Sequence, residues 1–132
     1  MGATGYFTHS DCSLHEMGEG HPECPERLDA IEDRLLITGL DHALDRREPA
    51  PAALADIELA HGRMYVASLR GLSDALIEDI QAGGPSHTAL DPDTTMNAHT
   101  WKAALRSAGA ALDATDAVIA GELENAFCAI RP

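Results

Sequence analysis

The chain has 132 residues, of which 45% are hydrophobic and only 4% aromatic, and its formal net charge is -13. That is the size of one domain with a modest core of Ala, Leu, Ile and Val. The charge excludes a nucleic-acid or anionic-membrane partner, because phosphate contact needs clustered Lys and Arg, and it suits cationic partners such as polyamines or lysine-rich tails.

No apolar run approaches the roughly 18 residues of a membrane span. The first residues lack the charged and apolar regions of a secretory signal. Three cysteines are an odd number without disulfide spacing. The expected setting is a reducing cytoplasm.

Thr4 to His9 reads as a short strand of β-branched and aromatic residues. A polar, His-rich loop runs from Ser10 to Pro25. Its end, His21-Pro22-Glu23-Cys24-Pro25-Glu26-Arg27-Leu28, is a stiff helix entry. Two prolines fix the approach and charged residues fill the first turn. The helix follows with an apolar face at Leu28, Ile31 and Leu35 and stops at Gly39.

Leu44 to Glu48 is a candidate strand before the Pro49-Ala50-Pro51 break, and Ala52 to Leu59 a short helical turn. Met64, Val66, Leu69, Leu72, Leu76 and Ile80 make a helical stripe that ends at Gly83-Gly84. Residues 85–98 read as a loop. The longest helix spans His99 to Gly121, with Trp101, Leu105, Ala108, Leu112 and Val118 or Ile119 as its expected buried face. Ala126 to Ile130 reads as a continuous apolar strand, the kind buried on both faces of a parallel sheet. This order gives an α/β fold with a parallel sheet. A strand of that kind should be central, so the expectation is the N-terminal piece of a larger domain.

Two constellations could carry chemistry. Cys12, His15, His21 and Cys24 have the residue types for a tetrahedral structural zinc, against a loop whose histidines bond locally. Asp91 and Asp93 place two carboxylates in one loop, either to hold a cation or to cap the turn. His61 reads as structural, and His99 and Trp101 as packing residues. Cys128 reads as a small buried hydrophobe. There is no Gly-rich phosphate loop, serine elbow or H-E-x-x-H.

Four segments in order resemble the histone deacetylase superfamily, best its class II-like bacterial members, the histone deacetylase-like amidohydrolases and acetylpolyamine amidohydrolases. The first is His15-x5-His21-Pro22-Glu23-Cys24-Pro25-Glu26-Arg27-Leu28-x2-Ile31, similar to the family's first loop and helix. The second, Glu58 to Val66, resembles its vHs-x-x-Y-v segment. The third is Leu90 to Thr94 followed by Ala103 to Gly109, similar to the second rim loop and long helix. The fourth, Ala126 to Pro132, resembles the strand running into RPPGHHA.

The resemblance implies a three-layer arginase/deacetylase-like fold, a parallel sheet with helices on both faces, of which residues 1–132 would be the N-terminal part of a single domain. It implies a zinc held by Asp, His and Asp, with a His pair and a Tyr, acting on acetylated lysine or acetylpolyamine amides. All of those groups would lie beyond Pro132. This chain would hold no catalytic residue and no metal ligand, would bind no zinc, and would be inactive alone. By the same resemblance Arg27 would line an internal channel. His21, Pro22 and Cys24 would shape the pocket loop, and Asp91 or Asp93 would sit at the substrate rim. An exposed strand edge would then favour a homo-oligomer or association with the remainder of the same chain.

Overall fold

Thr4–Phe7 forms β1, the middle of a three-stranded parallel sheet in the order β2-β1-β5. The computed structural model describes residues 2–132. Strand β2 is Leu44–Arg47 and β5 is Asn125–Cys128. Thr4 aligns with Leu44 on one side and Asn125 on the other, and Phe7 with Arg47 and Cys128.

Successive side chains on a strand point to opposite faces, and β1 uses both. Phe7 is 2% exposed and packs with Ala110, Ala114, Ala117 and Leu123. Tyr6, also 2% exposed, packs on the other face with Cys12, Leu28 and Ala129, beside Ile31 and Leu35. So helix α2, Glu26–Thr38, covers one face and α5, Thr100–Ile119, the other. The result is the expected three-layer α/β arrangement. As its sequence position suggests, Gly39 ends α2 in the left-handed region at φ 74°, its N–H donating to the Leu36 carbonyl at 3.1 Å.

Several local expectations are corrected. The first loop contains a one-turn helix, α1, Ser10–Leu14, started by His9, whose Nδ1 accepts from the Asp11 N–H. Helix α3 is shorter than its segment, Leu54–Ile57, and α4 is Arg63–Gln81. The α4 stripe is buried only at Val66 and Leu76, with Ser73 between them, while Met64 is 86% exposed. Residues 85–98 are not simply a loop. Thr88–Asp91 (β3) and Thr94–Met96 (β4) pair antiparallel as a hairpin whose register shifts between Ala89 and Asp91. The Asp-Pro-Asp turn hides the short strands because Asp and Pro mark turns, not ladders.

The buried face of α5 is a stripe of Ala103, Gly109, Ala110, Ala114 and Ala117. Leu112, Val118 and Ile119 are exposed. Small residues win because the helix lies flush against backbone. Gly109 faces the Ala50 carbonyl, and the Ala52 N–H donates to the Leu105 carbonyl at 2.9 Å. The Ala50 N–H donates to Asp113 Oδ2 at 2.9 Å, and Arg106 donates to the Pro49 carbonyl at 2.7 Å and Asp11 Oδ2 at 3.0 Å. These bonds lay the segment after β2 along α5.

Strand β5 is not enclosed on both faces. Among the described residues it is an edge strand, and Phe127 is 54% exposed while stacking on Tyr6 at 6.1 Å.

Candidate functional site

The carboxyl ends of β1 and β5 lead to one cleft, the position where parallel sheets place their sites. After β1 the chain enters α1 and then the loop to α2. After β5 it continues to Arg131. Between them stands the β3–β4 hairpin. The cleft holds about 650 Å³ and is lined by His15, Met17 and His21 through Glu23 on one side. Asp93 through Met96 face them, with Arg27, Thr100 and Arg131 also on the wall.

His21 and Asp93 close the mouth. His21 Nε2 lies 3.2 Å from Asp93 Oδ1. The Glu23 N–H donates to His21 Nδ1 at 3.0 Å, so Nδ1 is unprotonated and the proton of the neutral ring sits on Nε2. Nε2 therefore donates to Asp93. Asp91 plays a different part. Its Oδ1 accepts the Asp93 N–H at 2.8 Å, and this bond, then the Thr94 hydroxyl, holds its carboxyl below the usual range. Asp91 shapes the turn, and Asp93 lines the cleft.

Pro22 lies on the wall beside His21. The Cys24 carbonyl accepts the Arg27 N–H at 3.1 Å, fixing the start of α2, and the Cys24 side chain is not on the wall. Arg27, an exposed residue on the cleft wall, donates from Nη1 to the Pro132 carbonyl at 3.3 Å. Arg131, largely exposed, pairs with Glu23 on the cleft wall.

His15 is tied down behind the loop. Its Nδ1 lies 2.7 Å from Thr100 Oγ1, and burial pushes its imidazole below the ordinary histidine range. Thr100 Oγ1 also accepts the Asn97 N–H at 2.9 Å, while the Asn97 amide donates to the Leu14 carbonyl at 2.9 Å. Asn97, 6% exposed, thus joins the first loop to the start of α5.

The four zinc-type residues are drawn into separate contacts. Cys12 is sealed at 0% exposure against α5, with Sγ 3.9 Å from Ser107 Oγ, and burial raises its thiol. His15 bonds to Thr100 and His21 to Asp93. Among the described residues no three His, Cys, Asp or Glu side chains gather to hold a metal ion. The residues present therefore do not fit a zinc, either as this quartet or as a catalytic centre.

His61, Tyr65, Trp101 and Leu105 line an adjoining apolar cavity of about 290 Å³ between α4 and α5, which shares Leu90, Met96 and Thr100 with the cleft. His61 and Tyr65 meet ring to ring at 6.1 Å. Met17, Glu16 and Thr95 had no signal in the sequence beyond residue type, and Arg131 stood out only as part of the Ala126–Pro132 resemblance. Only the Asn97-x-x-Thr100 spacing at a helix start could have marked the joint behind the cleft.

This three-layer sheet, with a cleft at the strand ends, is the deacetylase fold. The crystal structure of the HDA15 HD domain superposes with a TM-score of 0.81 at 24% identity, over 99% of this chain and 35% of that one. A sequence model of the histone deacetylase domain matches residues 21–132, and the chain belongs to that family. A histone deacetylase-like amidohydrolase of Pseudomonas aeruginosa is 35% identical over 113 residues, 86% of this chain and 27% of that protein. A probable deacetylase of Archaeoglobus fulgidus is 34% identical, covering 98% of this chain and 33% of its own length. The human polyamine deacetylase HDAC10 is 30% identical, covering 98% and 19%. The chain thus spans a third or less of the length of these curated relatives.

Proposed function

We propose that this chain forms the substrate-facing wall of a zinc-dependent deacetylase that hydrolyses the acetamide of acetylated lysine or acetylpolyamines. One observation carries the reading. The stiff His21-Pro22 loop and the Asp93 turn meet across a cleft at the strand ends of a deacetylase-family sheet. In this reading residues 1–132 are the N-terminal part of one deacetylase domain in the cytoplasm. The metal and its activated water come with groups outside the described residues, since none here converge on an ion.

The proposed roles are as follows. Asp93 is the rim carboxylate, exposed at the cleft mouth and able to accept an N–H from a substrate backbone or polyamine. Asp91 holds the turn that presents it. His21 and Pro22 fix the opposite lip, and Arg27 on the same wall would face the internal channel that the family resemblance implies. Cys24 supports the lip through its carbonyl.

The test is hydrolysis of an acetyl-lysine peptide and of N-acetylspermidine. The 132 residues with added zinc should give no turnover, and turnover would overturn the division of labour proposed here. A longer polypeptide carrying this chain should hydrolyse at least one of the two, and failure on both would overturn the reading. In that polypeptide Asp93→Ala should lower kcat/KM by about ten-fold, the worth of one charge-assisted hydrogen bond.

A further inference from the structure

We propose that Glu16 is a positioning residue of the cleft, clasping the foot of the β3–β4 hairpin to the first loop through His87. The inference rests on the reading above that the hairpin carries the rim carboxylate.

The hairpin reaches the first loop at three places. At the tip, His21 bonds to Asp93, whose side chain is 94% exposed. In the middle, the Thr95 N–H points to Met17 Sδ at 3.5 Å, a weak contact. At the foot, His87 Nε2 pairs with Glu16 Oε1. The foot is the more shielded of the two ionisable contacts, with both side chains about a third exposed.

Glu16 is also built into its own loop. Its Oε2 accepts the Gly18 N–H at 2.7 Å, which fixes the carboxylate before it meets His87. His87 is held from behind, its Nδ1 lying 2.7 Å from Ser86 Oγ. A carboxylate oriented by backbone on one side and an imidazole oriented by a hydroxyl on the other make a fixed joint rather than a passing surface contact. His15 on the same loop feels the Glu16 charge, and the Asn97 amide before α5 is a further polar neighbour of Glu16. The clasp sets the distance between hairpin and loop, and so the width of the opening where Asp93 faces His21.

The test is native-state hydrogen exchange of the hairpin amides, read with global stability from urea unfolding. Glu16→Gln and His87→Gln should each speed exchange across residues 88–96 by about five-fold, the upper range for a partly exposed ion pair, with β1 and β2 amides unchanged. The double variant should exchange no faster than the faster single, because both remove one contact. Unchanged hairpin exchange in the single variants, or effects that multiply in the double, would overturn the clasp. If Glu16→Gln fails to fold through loss of its turn, His87→Gln alone carries the test, since it leaves the Gly18 bond intact. In a longer polypeptide that hydrolyses acetamides, Glu16→Gln should raise KM by about five-fold and lower kcat less. A loss confined to kcat would count against positioning. Exchange needs no turnover, so the clasp can fail while the deacetylase reading stands, and the reverse.

Discussion

Gly109 lies directly beneath the carbonyl oxygen of Ala50, so close that a Cβ at position 109 would sit 1.7 Å from that oxygen. Neither group can give way cheaply. Gly109 is inside α5, and Ala50 is held by Asp113 and flanked by the Arg106 bond to Pro49. Gly109→Ala should therefore destabilise the fold by roughly 3 kcal/mol through overpacking, despite the better helix propensity of Ala. Urea unfolding measures it. A stabilised variant would mean that the segment after β2 does not pack on α5.

Tyr6 anchors the other face. Its hydroxyl donates to Glu32 Oε1 at 2.8 Å, and the Arg46 guanidinium lies 4.8 Å from the ring centre. Tyr6→Phe should cost about 1 kcal/mol, the net worth of one buried hydrogen bond. Burial, and then the Glu32 carboxylate, push the phenol well above its ordinary 10.0. The unfolded chain therefore loses this proton first, and the Tyr6 contribution fades as pH rises above that value. Ultraviolet titration should show the Tyr6 phenolate only as the chain unfolds.

Acid should act from two sides. Burial lowers His15, so the unfolded chain takes up its proton more readily and stability falls as pH drops below about 6.5. Glu32 is lowered first by its hydrogen bond from Arg46. For Glu16, burial pushes upward, but the Gly18 N–H and His87 outweigh it and the net shift is down. Both carboxylates stabilise the fold above their unfolded value near 4.5 and lose that contribution as pH falls further. Urea midpoints at pH 7, 5.5 and 4 should decline in order, and His15→Phe should flatten the first interval.

Cys12 should be silent in the native state. It is fully buried and its thiol is raised by burial, so the reactive thiolate is scarce and out of reach. Labelling by a disulfide reagent should modify Cys12 only at the rate of unfolding. Fast native labelling there would show that α1 opens from α5.

The outer edge of β5 should drive association. Among the described residues it carries unpaired backbone groups beside Phe127, and apolar Val118 and Ile119 are exposed nearby. Sedimentation velocity should show concentration-dependent self-association, reduced by Phe127→Lys. A monomer over the whole concentration range would refute it.

The fold was legible to different depths. Strand β1, helix α2 with its Gly39 stop, and the parallel α/β class followed from residue type and period. The α5 face did not. Leu112 and Val118 are the larger hydrophobes, yet the buried stripe is Ala and Gly, because a helix that lies flush on backbone must present small residues there. The hairpin was hidden by turn residues, and the exposure of β5 by its apolar sequence.

By itself the sequence determined what is local: where helices begin and stop, which segments alternate or repeat, and the family resemblance that starts at His15 and runs to Pro132. The resemblance implied that His21, Pro22, Cys24, Arg27 and one of the two aspartates serve one function without saying how they meet. Only the tertiary structure decided that Asp93, rather than Asp91, faces His21, and that Glu16 reaches His87. Those pairs are 72 and 71 residues apart along the chain. No periodicity links residues at such separations. They meet because β1 and β5 are neighbours and because α5 carries the hairpin to the same end of the sheet.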